Sequence, residues 1–107
     1  MKPRYVPQCK EVTRRWGTKM PMLCMEECAE LIQAISKMER VGDIQPEFVT
    51  SNEANRKQDL IDEMGDVLIT IEALKNYYGI TDAQVELRIG TKLAKQYPLR
   101  DKKEVLF

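Results

Sequence analysis

The sequence predicts an all-α fold with about four helices, within one domain that covers residues 1–107. Capping-box patterns, prolines and glycines mark several helix ends. The sequence has no Asn-Gly hairpin signal and no sustained alternation of apolar and polar residues, so strands are not expected. The chain has 107 residues, 43% hydrophobic and 32% charged, which is typical of one ordinary globular domain.

The first half of the chain contains two predicted helices. The first covers roughly residues 7–16 and is interrupted at Gly17. The second begins near Pro21, since proline is favoured in a first helical turn, and continues over residues 21–41. Residues 42–51 are rich in turn-forming side chains, and we expect a loop there.

The second half contains two more predicted helices. One opens near Thr50 and Glu53, which have capping-box spacing, and ends at Gly79, a residue suited to the position just after a helix. The other opens with a capping box that starts at Thr81. It closes at Tyr97, because the next residue is proline.

Composition excludes several classes of function. Lys plus Arg and Asp plus Glu both number 17, so no basic field is expected to attract nucleic acid or a membrane. The chain has no histidine, which excludes imidazole catalysis and the usual zinc sites. The three cysteines form no Cys-x-x-Cys motif and the first residues have no apolar signal core, so a cytoplasmic location is expected.

Carboxylates interrupt the apolar face of the second helix, within the segment EECAELIQAI. At about 100° per residue, Glu27 lies inside the edge of an apolar arc and Glu30 lies at its border. An unpaired carboxylate in an apolar seam costs roughly several kcal/mol, so a compensating cation is expected. The arc is formed by Leu23, Cys24, Leu31, Ala34, Ile35 and Met38.

The acidic pattern recurs 36 residues further along, where DEMGDVLITI aligns without gaps with EECAELIQAI. Glu63 takes the position of Glu27, and Asp66 takes that of Glu30. Carboxylates three residues apart share one face of a helix. Glu63 again lies at the inner edge of an apolar arc, formed by Leu60, Val67, Ile71 and Leu74.

Antiparallel packing of the two acidic helices would bring four carboxylates together, with the small Ala29 and Gly65 expected to allow close approach. Such a cluster repels itself strongly without a metal. All-oxygen ligation suits a hard cation, so Mg²⁺ is predicted, with Mn²⁺ as a substitute. Di-iron bundles use histidines that this chain lacks. Because Mg²⁺ is commonly shared with substrate phosphates, a polyphosphate ligand is expected.

These residues resemble the hallmark of the MazG-like, all-α nucleoside triphosphate pyrophosphohydrolases, EExxE followed by ExxD. The first part of this hallmark is matched by Glu26, Glu27 and Glu30, and the second part by Glu63 and Asp66. The likeness covers most of the chain and is closest to the short, single-domain versions common in phages. It implies a bundle of about four helices per subunit, assembled as a homodimer or a dimer of dimers. It also implies Mg²⁺-dependent hydrolysis of an NTP or dNTP to the monophosphate and pyrophosphate, a reaction suited to nucleotide pool cleaning.

Each acid has a predicted role. Glu27, Glu30, Glu63 and Asp66 are predicted to hold the metal, which would clamp phosphate oxygens during attack by water. Glu26 lies further round the helix and is predicted to orient or activate that water.

Positive side chains should reach the triphosphate. Lys37, two turns beyond Glu30, and Lys92 and Lys95 on the last helix are the candidates, although a solvated basic face is the alternative for each. Trp16 is a candidate for stacking on a base, with packing as its alternative role.

Two other functions fit the same residues. In a non-catalytic helical interaction module, the acids would pair with Lys or Arg across a subunit interface. In a related diphosphatase, dUTP and dUDP would both be hydrolysed. Asp59, one turn before Glu63 on the same helix face, could also join the site, with a role as an exposed helix charge as the alternative.

Overall fold

The computed structural model describes residues 1–40 and 53–99, and all regular structure in these ranges is helical, which confirms the predicted all-α class. No helix in these ranges combines the length and apolar content that crossing a bilayer requires. The α-helices are α1 (Val6–Trp16), α2 (Met20–Arg40), α3 (Glu53–Tyr78) and α4 (Asp82–Gln96). Short 3-10 turns precede α1 and α2, at Pro3–Tyr5 and Gly17–Lys19.

Local sequence explains the helix ends. Gly17 follows α1 with φ of 53°, and Gly79 follows α3 with φ of 68°, a backbone conformation that favours glycine. The predicted capping box opens α4. The backbone N–H of Gln84 donates to Thr81 Oγ1, and the N–H of Thr81 donates to Gln84 Oε1. The predicted cap at Thr50 lies outside the described residues.

The main packing contact joins α2 to α3. Cys24, near the start of α2, shares a groove with Leu74 near the end of α3. Lys37, near the end of α2, shares a pocket with Asp59 near the start of α3. The two helices are therefore antiparallel, which is the arrangement under which the paired acidic motifs were expected to converge.

The first helix, α1, packs on the other side of α3. Thr13 Oγ1 on α1 donates a hydrogen bond of 2.9 Å to the backbone carbonyl of Ala73 on α3. Across the described residues the core is small, because many large apolar side chains stay exposed. The buried apolar residues are Cys9, Met20, Cys24, Ala34, Val67 and Ala73.

Some predicted packing positions are wrong. Ile35 and Ile71, assigned to the apolar arcs, are exposed and lie outside the buried core. A Cβ atom added to Gly65 would meet nothing within 4 Å, so this glycine does not serve close approach of α2 to α3. Gly65 instead lines a groove beside α1, and Ala29 is exposed. The helical period gives the angle between side chains but not the neighbour that each side meets.

The fourth helix stands apart from the other three. Within the described residues, α4 has no buried side chain. Its first turn is tied to α3 by Lys75, whose Nζ lies 2.9 Å from Glu72 Oε2 and also contacts Asp82. The described chain therefore has the predicted number of helices, three of them packed together and the fourth held at its first turn.

Candidate metal centre

Three carboxylates converge between α2 and α3. One oxygen from each of Glu27, Glu63 and Asp66 lies within 4.8 Å of the other two. Glu27 comes from α2, whereas Glu63 and Asp66 come from α3, where a spacing of three residues places them on one face. The structure thus brings together both halves of the repeated acidic pattern. These three residues are called the carboxylate cluster below.

The fourth predicted ligand adjoins the carboxylate cluster. The side chain of Glu30 interacts with both Glu27 and Glu63, and its negative charge adds to the burial that raises the pKa of both carboxyl groups. Glu30 is exposed, as is Asp66, so the cluster has an open side toward solvent. All four acids that the sequence singled out as ligands therefore lie in one place.

Two oxygen atoms in the carboxylate cluster have no partner. Among the described residues, the Oε2 atoms of Glu27 and Glu63 are shielded from solvent and accept no hydrogen bond. Desolvation is the largest cause that raises the pKa of both carboxyl groups, and the nearby carboxylates raise it further. Unpaired, desolvated acceptors that repel one another are costly. A bound cation would remove both costs.

The donor set suits a hard divalent cation. All the available donors are carboxylate oxygens, the ligands that Mg²⁺ and Mn²⁺ prefer. Mg²⁺ usually keeps several waters and shares the rest of its coordination with substrate phosphates. The exposed sides of Glu30 and Asp66 leave space for such ligands. The residues present therefore fit Mg²⁺ or Mn²⁺.

A polar pocket of about 380 Å³ opens beside the carboxylate cluster. Lys37 and Asp59, which the sequence indicated, belong to it, whereas Gln33 was not predicted. The spacing could have identified Gln33, because it follows Glu30 by three residues and so shares its helix face. The lining residues are Glu30, Gln33, Ala34, Lys37, Asp59, Asp62 and Glu63.

The remaining predicted site residues lie elsewhere. Glu26 is exposed and outside the carboxylate cluster. Trp16, Lys92 and Lys95 are exposed and outside the lining of the polar pocket. The two lysines lie in the second half of α4, beyond the turn that is tied to α3. The structure does not bring these four residues to the cluster, and their roles stay predictions.

Comparison with known proteins relates these features to a family. The MazG nucleotide pyrophosphohydrolase domain matches residues 17–100, a range that contains both acidic motifs. The chain belongs to the MazG nucleotide pyrophosphohydrolase family. The uncharacterized protein YvdC of Bacillus subtilis (strain 168) is 38% identical over 73 residues, which are 68% of this chain and 68% of YvdC. No solved structure matches the chain.

Membership of the MazG family confirms the resemblance that the acidic motifs indicated. It implies, in general terms, a hydrolase that acts on nucleoside triphosphates. MazG proteins typically depend on a divalent metal, and the carboxylate cluster is a group of residues that could hold one.

Proposed function

We propose that this MazG-family chain uses Mg²⁺ and water to convert nucleoside or deoxynucleoside triphosphates to the monophosphate and pyrophosphate, in the service of nucleotide pool cleaning. The observation that supports this most is the pair of unpaired, desolvated Oε2 atoms on Glu27 and Glu63 beside Asp66. Such an arrangement favours a cation that also accepts phosphate oxygens.

The carboxylates and Lys37 have separate roles in the proposed reaction. Glu27, Glu63 and Asp66 would hold the metal, with Glu30 at their side. Mg²⁺, or Mn²⁺ in its place, would offset the negative charge of the phosphate chain. A carboxylate of this group would accept the proton that the attacking water releases. Lys37, in the adjoining polar pocket, would contact the phosphates.

The test is hydrolysis by the purified full chain. A panel of NTPs and dNTPs with Mg²⁺ is screened for release of phosphate and of pyrophosphate. Glu27→Gln and Glu63→Gln keep the side-chain shape and remove the charge, and we expect both to lose turnover while circular dichroism stays unchanged. Glu39→Gln is the matched control, since Glu39 is an exposed carboxylate on α2 outside the carboxylate cluster. Full turnover by both cluster variants would refute the proposal.

The same screen separates the alternatives. Hydrolysis of dUDP would favour the related diphosphatase. Inertness toward the whole panel, together with dissociation of the Glu27→Gln and Glu63→Gln variants, would favour the non-catalytic interaction module.

We also propose that the chain works as a homodimer or a dimer of dimers. One side of α3 carries exposed apolar residues at the alternating three- and four-residue spacing that suits packing against another helix. In the described chain α1 and α2 pack against α3 but leave these side chains exposed, and Leu68 among them also borders the groove beside α1. This outer face of α3 consists of Ile61, Met64, Leu68 and Ile71, which are 51%, 50%, 59% and 41% exposed.

A glycine beside the outer face of α3 supports the same proposal. Gly65 lies in the middle of α3, where glycine costs about 1 kcal/mol relative to alanine. Apart from its neighbours in α3, no described residue lies within 4 Å of a Cβ atom at this position, so contacts within the described chain do not explain the choice of glycine. Close approach of a helix from a second copy would explain it, because glycine lets another backbone come near.

A further inference from the structure

The polar pocket has a composition that metal binding alone does not explain. Beside the carboxylates, the described part of its lining presents one ammonium group, from Lys37, and one amide, from Gln33. Among the described residues, Ala34 is the only apolar member of its lining, and no aromatic ring takes part. Nucleobases bind by stacking and apolar contact, so the described lining does not suit a base. It suits the charged end of a ligand.

Lys37 is available to such a ligand. Within the described residues its ammonium group forms no ion pair, although carboxylates line the same pocket. Lys75 on α3 differs, because it contacts both Glu72 and Asp82. An exposed, unpaired ammonium group beside a candidate metal site is suited to bind an anion.

The spacing on α2 relates Lys37 to the carboxylate cluster. Glu30, Gln33 and Lys37 follow one another at three and then four residues, so they share one helix face. With a rise of 1.5 Å per residue, the Cα atoms of Glu30 and Lys37 lie about 10 Å apart along the helix. A phosphate chain held at the cluster can therefore extend along α2 toward Lys37.

We infer that Lys37 and Gln33 bind the terminal phosphate of the substrate, and that this contact makes the chain prefer triphosphates to diphosphates. The inference rests on the proposed function. Asp59 and Asp62 face the same pocket from α3 and repel a phosphate, so the positive charge of Lys37 decides whether the terminal phosphate enters. The phosphates of a diphosphate end nearer the carboxylate cluster and do not reach Lys37.

The experiment compares binding of ATP and ADP by isothermal titration calorimetry, with Ca²⁺ as a hard cation that takes the same oxygen ligands. Lys37→Met is expected to weaken ATP binding about tenfold and to leave ADP binding unchanged. Gln33→Ala should weaken ATP binding less, and Lys37→Arg should retain most of it. Adding Asp59→Asn to the Lys37→Met chain should restore part of the ATP affinity, because it removes a repelling charge.

Lys57→Met is the control, since Lys57 is an exposed lysine on α3 outside the polar pocket, and it should change neither affinity. Equal losses of ATP and ADP binding in Lys37→Met, or no loss of either, would overturn the inference. Turnover of the wild-type chain with Mg²⁺ is measured in parallel, so this outcome would leave the proposed function standing. A wild-type chain that neither binds nor hydrolyses ATP or the other triphosphates would overturn both.

Discussion

The carboxyl groups of Glu27 and Glu63 meet across the α2–α3 pair, and each has an Oε2 atom that is shielded from solvent and accepts no hydrogen bond from the part of the chain that the structure describes. Burial raises the pKa of both groups above the ordinary 4.5, and Glu30 raises it further. The folded chain therefore holds protons at these two sites more tightly than the unfolded chain. Without a cation, ionisation of the pair costs stability.

Stability of the metal-free chain should therefore depend on pH. The contribution from Glu27 and Glu63 is fully present below pH 4.5 and is lost as the pH rises through their raised pKa values. Glu63→Gln removes one of the repelling charges, so in EDTA this variant should melt at a higher temperature than the wild type at pH 8. The difference should shrink toward pH 4.5. Thermal unfolding followed by circular dichroism measures it, and a variant that melts lower than the wild type at pH 8 would argue against charge repulsion in the cluster.

Glu26 should behave differently from its neighbour Glu27. Glu26 is exposed and outside the carboxylate cluster. If it orients the attacking water, Glu26→Gln lowers kcat and leaves both KM and the affinity for Mn²⁺ unchanged. Steady-state kinetics and Mn²⁺ titration test this expectation. Loss of Mn²⁺ affinity in Glu26→Gln would instead make Glu26 a metal ligand.

Lys75 should be needed to hold the α3–α4 junction. It pairs with Glu72, which is buried, and with Asp82 in the first turn of α4. Lys75→Met leaves Glu72 without its counter-charge, and the free energy of unfolding should fall by roughly 3 kcal/mol. Urea unfolding measures the loss, with Lys57→Met as the exposed control. The double variant with Glu72→Gln should lose less than Lys75→Met alone, and a larger loss would disprove the pairing argument.

Gly65→Ala should have two effects of opposite sign. Alanine favours the helix, so folding of the single chain should gain up to about 1 kcal/mol. The added methyl group should weaken self-association, because it occupies the place of the approaching second copy. Gly90→Ala is the matched control, since Gly90 lies within α4 and its surroundings are equally open. Analytical ultracentrifugation that shows the same assembly for both variants would exclude the outer face of α3 as the interface.

The features that were predicted correctly are those that depend on residues adjacent along the chain. The cap at Thr81 and the helix end at Gly79 follow from local backbone chemistry, and both were found. Ile71 and Gly65 were placed wrongly because α3 is apolar on more than one side. The helical period does not say which of these sides meets α1, α2 or neither.

In the candidate site, too, features set by sequence spacing were predicted, whereas features set by packing were not. The repeated spacing predicted that Glu27 and Glu63 would meet, since an antiparallel pair of helices brings matching motifs together. The position of Lys92 and Lys95 depends on the angle between α3 and α4. A residue of α3, Lys75, bears on this angle because it contacts Asp82 in the first turn of α4. Gln33 was overlooked although its spacing from Glu30 places it on the same helix face, because an amide is neither a metal ligand of the acidic pattern nor a positive charge for phosphate.

The most direct test of the proposed metal centre is titration of the metal-free chain with Mn²⁺, with the free ion followed by electron paramagnetic resonance. Wild type, Glu63→Gln and the control Glu39→Gln are compared, and pyrophosphate release with Mg²⁺ is measured on the same samples. We predict that wild type and Glu39→Gln bind Mn²⁺ equally well, and that Glu63→Gln binds it at least about tenfold more weakly and releases no pyrophosphate. Equal Mn²⁺ affinity in all three chains would contradict a metal centre built on Glu27, Glu63 and Asp66.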